Sequence, residues 1–204
     1  MCGRGTVLAA TAVASALLLS SCSAPAERHE PDRSDGASLQ SAGPWKADFR
    51  EALRGGVSRY EAAILEDGRV TSAELEDAHA HVQRCLSASG LHIAYDPDGG
   101  FALESVDGKY PDDFFERSDP VLRACEKRYD EYVTMLFQET RRNPEKRDEA
   151  EITVACLRKA GLVGKDYSER QWRKEDETGE YSFPGLDPRA QQCRFDPLGL
   201  WRQP

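Results

Sequence analysis

The segment CLSASGL at residues 85–91 recurs as CLRKAGL at residues 156–162. Each copy is followed by a second shared segment, which is DPVLRAC at residues 119–125 and DPRAQQC at residues 187–193. A Cys-Leu pair, a Gly-Leu pair, an Asp-Pro pair and a final cysteine therefore occur twice in the same order. This internal repeat predicts a domain made of two related units.

Both segments of the repeat predict helix ends. A helix that ends in Gly followed by an apolar residue is typical of a Schellman motif, in which the glycine is left-handed and the next residue contacts the last turn. Asp followed by Pro predicts a helix start, with Asp as the N-cap and Pro in the first turn. The expected fold is therefore mainly α, with units at about residues 71–140 and 144–200. Each unit is a helix, a Schellman cap, an excursion and an Asp-Pro-capped helix.

Residues 1–21 predict a signal peptide. Arg4 precedes an apolar run at residues 7–19, which is too short to remain as a membrane-spanning helix. The run ends in LSSC, which resembles the lipobox of bacterial lipoproteins. That resemblance implies cleavage before Cys22, covalent diacylglycerol on its sulfur, and an anchor at the outer face of the cytoplasmic membrane. More than one acyl chain is needed for stable anchoring, as such lipoproteins provide.

Four cysteines then remain for the exported domain: Cys85, Cys125, Cys156 and Cys193. In an exported chain they predict two disulfides, with three possible pairings. The repeat favours Cys85–Cys125 and Cys156–Cys193, one in each unit. The alternative joins the two inner cysteines and the two outer ones. Because paired C-x-x-C or H-x-x-x-H spacing is missing, we expect no metal, and no cofactor beyond the lipid.

The remaining organisation follows from composition and periodicity. Residues 22–43 are rich in Ser, Ala, Pro and charge, which predicts a disordered tether, and residues 44–204 are expected to form the helical domain. An apolar stripe from Trp45 to Ile64 predicts an amphipathic helix, with a bend or close packing at Gly55-Gly56. A Thr71–Glu74 capping box predicts the start of the next helix.

Two further elements are expected between the repeat segments. Alternating runs at residues 91–95 and 101–105, around a Gly-rich turn, predict a β-hairpin in the first unit. The longest helix is expected to start at Asp119-Pro120, to continue through Phe137 and to end at Asn143-Pro144, where the next helix starts.

The second excursion is polar but contains four aromatic residues: Tyr167, Trp172, Tyr181 and Phe183. Exposed aromatic side chains in a charged segment can form a binding face. They can equally be the apolar anchors that hold a long segment on the domain, and the sequence favours neither interpretation.

The charge of the chain excludes two classes of partner. The full sequence has a net charge of −9, and the mature chain loses only Arg4, which leaves 26 basic against 36 acidic residues. A chain this acidic is not expected to bind nucleic acid or to adsorb directly on anionic lipid.

One stretch carries a resemblance to a known group. GRVTSAELE at residues 68–76, followed by Cys85-Leu86-x-x-x-Gly90, is similar to uncharacterised actinobacterial lipoproteins with a lipobox and repeated Cys-Leu-x-x-x-Gly segments. The chain departs from them at Leu75, where an aromatic residue is more usual. The resemblance implies compartment and fold, and it carries no catalytic residues to transfer.

The expected function is that of a non-catalytic protein-interaction or accessory module of an envelope or transporter complex. Serine occurs without the G-x-S-x-G context of a nucleophile, and His79 and His81 lie on different faces of one helix. We therefore expect no enzyme. The alternatives are a module that binds a small ligand or peptidoglycan, and a cell-wall hydrolase that uses paired carboxylates.

Overall fold

A computed structural model describes residues 39–96 and 100–201. The predicted signal peptide, the predicted lipidation site Cys22 and most of the predicted tether lie outside these residues. The described chain is mainly helical, with one two-stranded antiparallel hairpin, as expected. After a 3-10 turn its elements are α1 Lys46–Arg54, α2 Arg59–Leu65, α3 Ser72–Ser87, β1 Leu91–Tyr95, β2 Phe101–Ser105, α4 Phe114–Tyr129, α5 Val133–Arg142, α6 Glu149–Lys159, α7 Glu169–Thr178 and α8 Pro188–Phe195.

The packed domain already includes Leu39, which the sequence analysis placed in the tether. Leu39 and Ala42 are buried in the first apolar cluster, formed around α1, α2 and α5. Gly68 makes this close packing possible, because its backbone has a φ of +77° and a Cβ there would lie 2.9 Å from the Ala42 Cβ. The segment before α1 therefore packs directly on the turn before α3.

We predict that Gly68→Ala lowers the free energy of unfolding by about 3 kcal/mol, because it combines left-handed strain with a steric clash. Gly90→Ala is the matched control, since Gly90 has a φ of +71° but nothing lies within 4 Å of its added Cβ. Strain alone should then reduce stability by about 1 kcal/mol. Urea unfolding measures both values, and equal losses would contradict the packing described for Leu39 and Ala42.

The single helix predicted from Trp45 to Ile64 is two helices, whereas the capping box predicted at Thr71 is confirmed. The long apolar stripe is interrupted at Gly55-Gly56 and resumes in α2, where Ser58 is the N-cap and its hydroxyl accepts from the Glu61 N–H. The capping box at the start of α3 is complete. Thr71 Oγ1 accepts from the Glu74 N–H at 3.2 Å, and Glu74 Oε2 accepts from the Thr71 N–H at 2.7 Å.

The glycine caps of the two units are closely related. In the second unit Gly161 has a φ of +69°, the Leu162 N–H donates to the Leu157 carbonyl at 3.0 Å, and the Gly161 N–H donates to Arg158, which completes a Schellman motif. In the first unit Gly90 is also left-handed and its N–H donates to Ser87 at 3.1 Å. The Leu91 N–H does not donate to the Leu86 carbonyl, and the chain enters β1 directly, so the predicted Schellman motif is complete only in the second unit.

The Asp-Pro prediction is correct in the second unit and wrong in the first. In α8, Asp187 accepts a hydrogen bond from the Arg189 N–H and Pro188 lies in the first turn. In the first unit α4 begins six residues earlier than expected, at Phe114, and Pro120 lies inside the helix. Phe114 is buried in the same cluster as Leu122, and packing of the preceding turn therefore extends the helix past the proline.

The single long helix expected from Asp119 to Asn143 is two helices. The chain leaves the helical path after Tyr129, and α5 starts at Val133. The next helix, α6, starts at Glu149 rather than at Asn143-Pro144, because the Asp148 carboxylate caps it by accepting from the Glu151 N–H at 3.0 Å.

Both predicted disulfides are present. Cys85–Cys125 joins α3 to α4 and belongs to a second apolar cluster, which packs the hairpin and contains Val82, Leu86, Leu91, Ile93, Phe114 and Leu122. Cys156–Cys193 joins α6 to α8 in a third cluster, which contains Val154, Leu157, Tyr167 and Ala190. The pairing of one disulfide per unit is thus confirmed, and it is consistent with an extracytoplasmic location. Within residues 39–96 and 100–201, no helix has the length and apolar character needed to cross a membrane.

Candidate functional site

The aromatic residues of the second excursion pack largely on the domain. Tyr167 is buried and its hydroxyl donates to Glu175 at 2.7 Å. Trp172 and Phe183 are half-buried against the third cluster, and the Tyr181 ring lies 5.0 Å from the Phe183 ring. The geometry of these side chains thus matches the second interpretation from the sequence, in which they hold the excursion on the domain.

Trp172 also faces a groove of about 510 Å³ that it shares with Trp201. A peptidoglycan-binding module would use such a groove, since aromatic rings can stack on sugars. Its central cation, Arg142, is already paired with Glu139 at 2.9 Å and with Glu149 at 2.8 Å. The charges of these three side chains therefore serve mainly to hold α5 against α6.

A buried carboxylate lies at the break between α4 and α5. Glu61, in α2, is fully buried, and its Oε1 accepts hydrogen bonds from the N–H groups of Tyr132 and Val133. Its Oε2 has no hydrogen-bond partner in the part of the chain that the structure describes. Burial raises the pKa of Glu61 to about 7, although the two backbone hydrogen bonds act in the opposite direction.

A second polar group adjoins this break. The Thr134 hydroxyl donates to Asp130 Oδ2 at 2.7 Å, and the His79 Nε2 lies 2.9 Å from the same hydroxyl oxygen. The His79 ring stacks on Tyr95 with a centroid distance of 3.5 Å. Burial lowers the pKa of His79 to about 4 and raises the pKa of Asp130.

The hydrogen-bond directions in this group differ from those of a hydrolase. In a catalytic triad the histidine accepts the proton of the nucleophilic hydroxyl, and a carboxylate orients the histidine from the other side. Here the Thr134 hydroxyl donates its hydrogen bond to Asp130. In the contact between His79 and Thr134, the His79 N–H is therefore the donor and the hydroxyl oxygen is the acceptor. The arrangement suits a structural role, in which buried side chains hold the α4–α5 break in place.

The same described ranges contain no group of three or more His, Cys, Asp or Glu side chains that could hold a metal ion. All four cysteines of the domain are in disulfides.

Exposed apolar side chains concentrate in one segment of the first unit. Seven large hydrophobic residues are exposed in the described chain, and four of them fall between residues 101 and 115: Phe101, Val106, Tyr110 and Phe115. Val106 is 68% exposed and Phe115 is 67% exposed. An exposed apolar patch with a polar rim is typical of an interaction site.

Tyr110 lines an open groove of about 780 Å³, which we name the hairpin–α4 groove, and Val106 and Phe115 are next in sequence to residues of its lining, whereas Phe101 lies at the turn end of the hairpin. The groove lies between the open end of the hairpin and the first turns of α4. It is lined by Ser89, Gly90, Leu91, Ser105, Asp107, Lys109, Tyr110, Pro111, Phe114, Arg117, Ser118 and Val121. Its lining is mixed, with Lys109 and Arg117 as cations beside apolar and aromatic side chains.

One buried polar atom in this lining has no hydrogen-bond partner among the described residues. Ser118 is 3% exposed, and its hydroxyl makes no hydrogen bond within residues 39–96 and 100–201. A serine hydroxyl inside a helix can bond to the carbonyl of the preceding turn, but this one does not. An unsatisfied buried hydroxyl is unfavourable in the free domain, and a ligand in the groove could satisfy it.

Comparisons with known proteins returned no matches. No protein-family model matches the sequence, no curated protein is significantly similar to it, and no solved structure significantly resembles its fold. The function is therefore inferred from the chain's own residues.

Sequence reasoning did not identify the hairpin–α4 groove or the buried carboxylate. One usable signal for the groove was the pair Phe114-Phe115, which stands in an otherwise polar segment at residues 107–119. The position of Glu61 beside the apolar stripe of α2, four residues after Val57 and three before Ile64, was a signal for its burial. Nothing in the local pattern indicated that the Ser118 hydroxyl would lack a partner.

Proposed function

We propose that this protein is an exported, lipid-anchored, non-catalytic module that binds another protein of the cell envelope through the hairpin–α4 groove. The observation that carries the proposal is the concentration of exposed apolar side chains around that groove. Protein-binding surfaces combine buried aromatic anchors with a polar rim, and Tyr110, Phe115, Lys109 and Arg117 provide both.

The proposed anchor determines where the partner can be. Lipidated Cys22 would hold the chain at the outer face of the cytoplasmic membrane. A flexible tether at residues 23–38 would average about 22 Å from end to end. A membrane protein or a membrane-bound complex, such as a transporter, lies within that reach. The similarity of residues 68–76 to actinobacterial lipoproteins supports the same compartment.

The experiment is photo-crosslinking in cells that produce the full chain. A photoreactive amino acid replaces Phe115 at the groove, and in a second strain it replaces Leu186, which is 91% exposed and lies in the second unit. We expect a discrete heterologous adduct from position 115, at a yield about ten times that from position 186. Equal adducts from both positions, or none from position 115, would contradict the proposed surface.

A further inference from the structure

We propose that the segment bound by this protein is an extended polypeptide that pairs with the outer edge of β2 as a third strand and continues into the hairpin–α4 groove. This inference rests on the proposed function, and it names the binding mode and the chemistry of the partner. Strand addition of this kind takes affinity from main-chain hydrogen bonds and specificity from pockets for alternate side chains.

The direction of the main-chain groups of β2 follows from two hydrogen bonds at the ends of the ladder. The Val106 N–H donates to Gly90 at 2.9 Å, and the Asp96 N–H donates to Gly100 at 2.8 Å. In an antiparallel pair, hydrogen-bonded and non-hydrogen-bonded residue pairs alternate. Every second residue of β2 therefore directs its N–H and C=O away from β1.

With the observed register, the residues of β2 that face outward are Phe101, Leu103 and Ser105. The Ser105 carbonyl accepts from the Gly108 N–H at 3.0 Å. The main-chain groups of Phe101 and Leu103 have no hydrogen-bond partner among the residues described. Alternating free donors and acceptors at this spacing are complementary to the backbone of an extended chain.

In the described chain, the outer edge of β1, unlike that of β2, is covered by a neighbouring helix. The Ile93 N–H of β1 donates to the Gln83 side chain of α3 at 2.9 Å. By contrast β2, with the sequence FALES, contains neither the lysine nor the proline that commonly protects an exposed edge, and its one charged residue is Glu104. Within the described part of the chain, the hairpin thus has one covered edge and one edge free for pairing.

The free edge leads to the groove because Ser105, the last residue of β2, is part of the groove lining. An extended chain that continues past Ser105 would place an apolar side chain beside Tyr110 and Phe114. One of its polar groups could then reach the unpartnered Ser118 hydroxyl. A single polar group in a mostly apolar site is a common means of fixing the orientation of a ligand.

The test keeps the photoreactive residue at position 115 and compares Phe101→Ala with Phe101→Pro in the full chain. Both variants lose the aromatic ring, but only proline removes the outward N–H. Proline is tolerated on an edge strand whose N–H faces solvent, and thermal unfolding checks that each variant folds. We expect the adduct yield of the proline variant to be about tenfold lower than that of the alanine variant.

Each result of this comparison is decisive. Equal yields from the two variants would overturn strand addition while leaving the proposed function intact. If the parent chain gives no adduct, both strand addition and the proposed function are contradicted. An adduct of twice the mass of the chain would show that a second copy of this chain is bound. It would overturn the proposal that the bound strand comes from another protein.

Ser118→Ala is the independent variant. If the hydroxyl serves the bound segment, its removal should lower the adduct yield about fivefold and also raise the urea midpoint, because an unsatisfied buried group is removed. A purely structural hydroxyl would lower the urea midpoint when removed. An unchanged yield would show that the bound segment does not reach Ser118 and would overturn that part of the proposal.

Discussion

Replacing Cys156 and Cys193 with alanine is expected to unfold α7 and α8 while α1 to α5 remain folded. The disulfide closes a loop with a sequence separation of 37 residues, for which the chain-entropy relation gives about 4 kcal/mol. Apart from the aromatic anchors Tyr167, Trp172 and Phe183, few buried side chains hold this region, since α7 contains no buried residue and α8 buries only Ala190 and Cys193. The third cluster is too small to compensate for that loss.

Hydrogen exchange measured by mass spectrometry tests this expectation. Protection should be lost across residues 165–195 and retained in α3 and α4, where Val82, Leu86 and Leu122 form the second cluster. The matched control removes Cys85 and Cys125, and it should weaken α3, α4 and the hairpin instead. Uniform loss of protection along the chain in either variant would show that the two units do not differ in this way.

The second large effect is expected at Glu61. Glu61→Ala leaves the N–H groups of Tyr132 and Val133 without their acceptor and opens a cavity beneath the α4–α5 break. We expect a loss of about 3 kcal/mol in the free energy of unfolding. Glu61→Gln keeps the accepting oxygen and should therefore retain most of this stability. Glu66→Gln, at the exposed end of the same helix, should change stability little.

The pH dependence of stability distinguishes the Glu61 carboxyl as a hydrogen-bond acceptor from the same carboxyl as a titrating group. Its pKa is raised by burial from 4.5 to about 7, so its contribution to stability is fully present below pH 4.5 and is lost as the pH rises to 7. Glutamine does not titrate. Between pH 4.5 and pH 8 the parent should therefore lose about 3 kcal/mol of stability relative to Glu61→Gln.

The comparison between variant and parent is needed because neighbouring groups also titrate. Asp130 has a raised pKa and acts in the same direction as Glu61, whereas His79 has a lowered pKa and makes the fold less stable as the pH falls from 6.5 to about 4. Both groups are present in both proteins, so their contributions largely cancel in the difference. Urea unfolding at pH 4.5, 6 and 8 measures the stability difference between the parent and Glu61→Gln. A difference that does not change with pH would contradict the burial described for the Glu61 carboxyl.

The features that could be predicted from the sequence are those governed by nearby residues. The capping box at Thr71, the cap at Gly161 and the Asp187-Pro188 helix start each depend on side chains within a few positions. The disulfide pairing also followed, because a repeated motif implies that each unit closes on itself. These signals were sufficient for the helical class and the hairpin.

The features that could not be predicted depend on contacts between distant residues. The α4–α5 break is capped by Glu61, which lies 71 residues before Tyr132. The early start of α4 depends on Phe114 joining a cluster built by α3 and the hairpin, and this packing outweighs the local preference of Pro120 for a first turn. The outer edge of β2 is unpaired among the residues that the structure describes, and this depends on strand register, which is not visible in a local pattern.

The most direct test of the exported, lipid-anchored state is the intact mass of the mature protein isolated from cell membranes. We predict a chain that begins at Cys22, carries diacylglycerol on that residue and contains two disulfides and no free thiol. Cys22→Ala should abolish the lipid mass and release the chain from the membrane fraction. A membrane-bound chain that retains residue 1, that starts elsewhere without lipid, or that contains four free thiols would contradict this account.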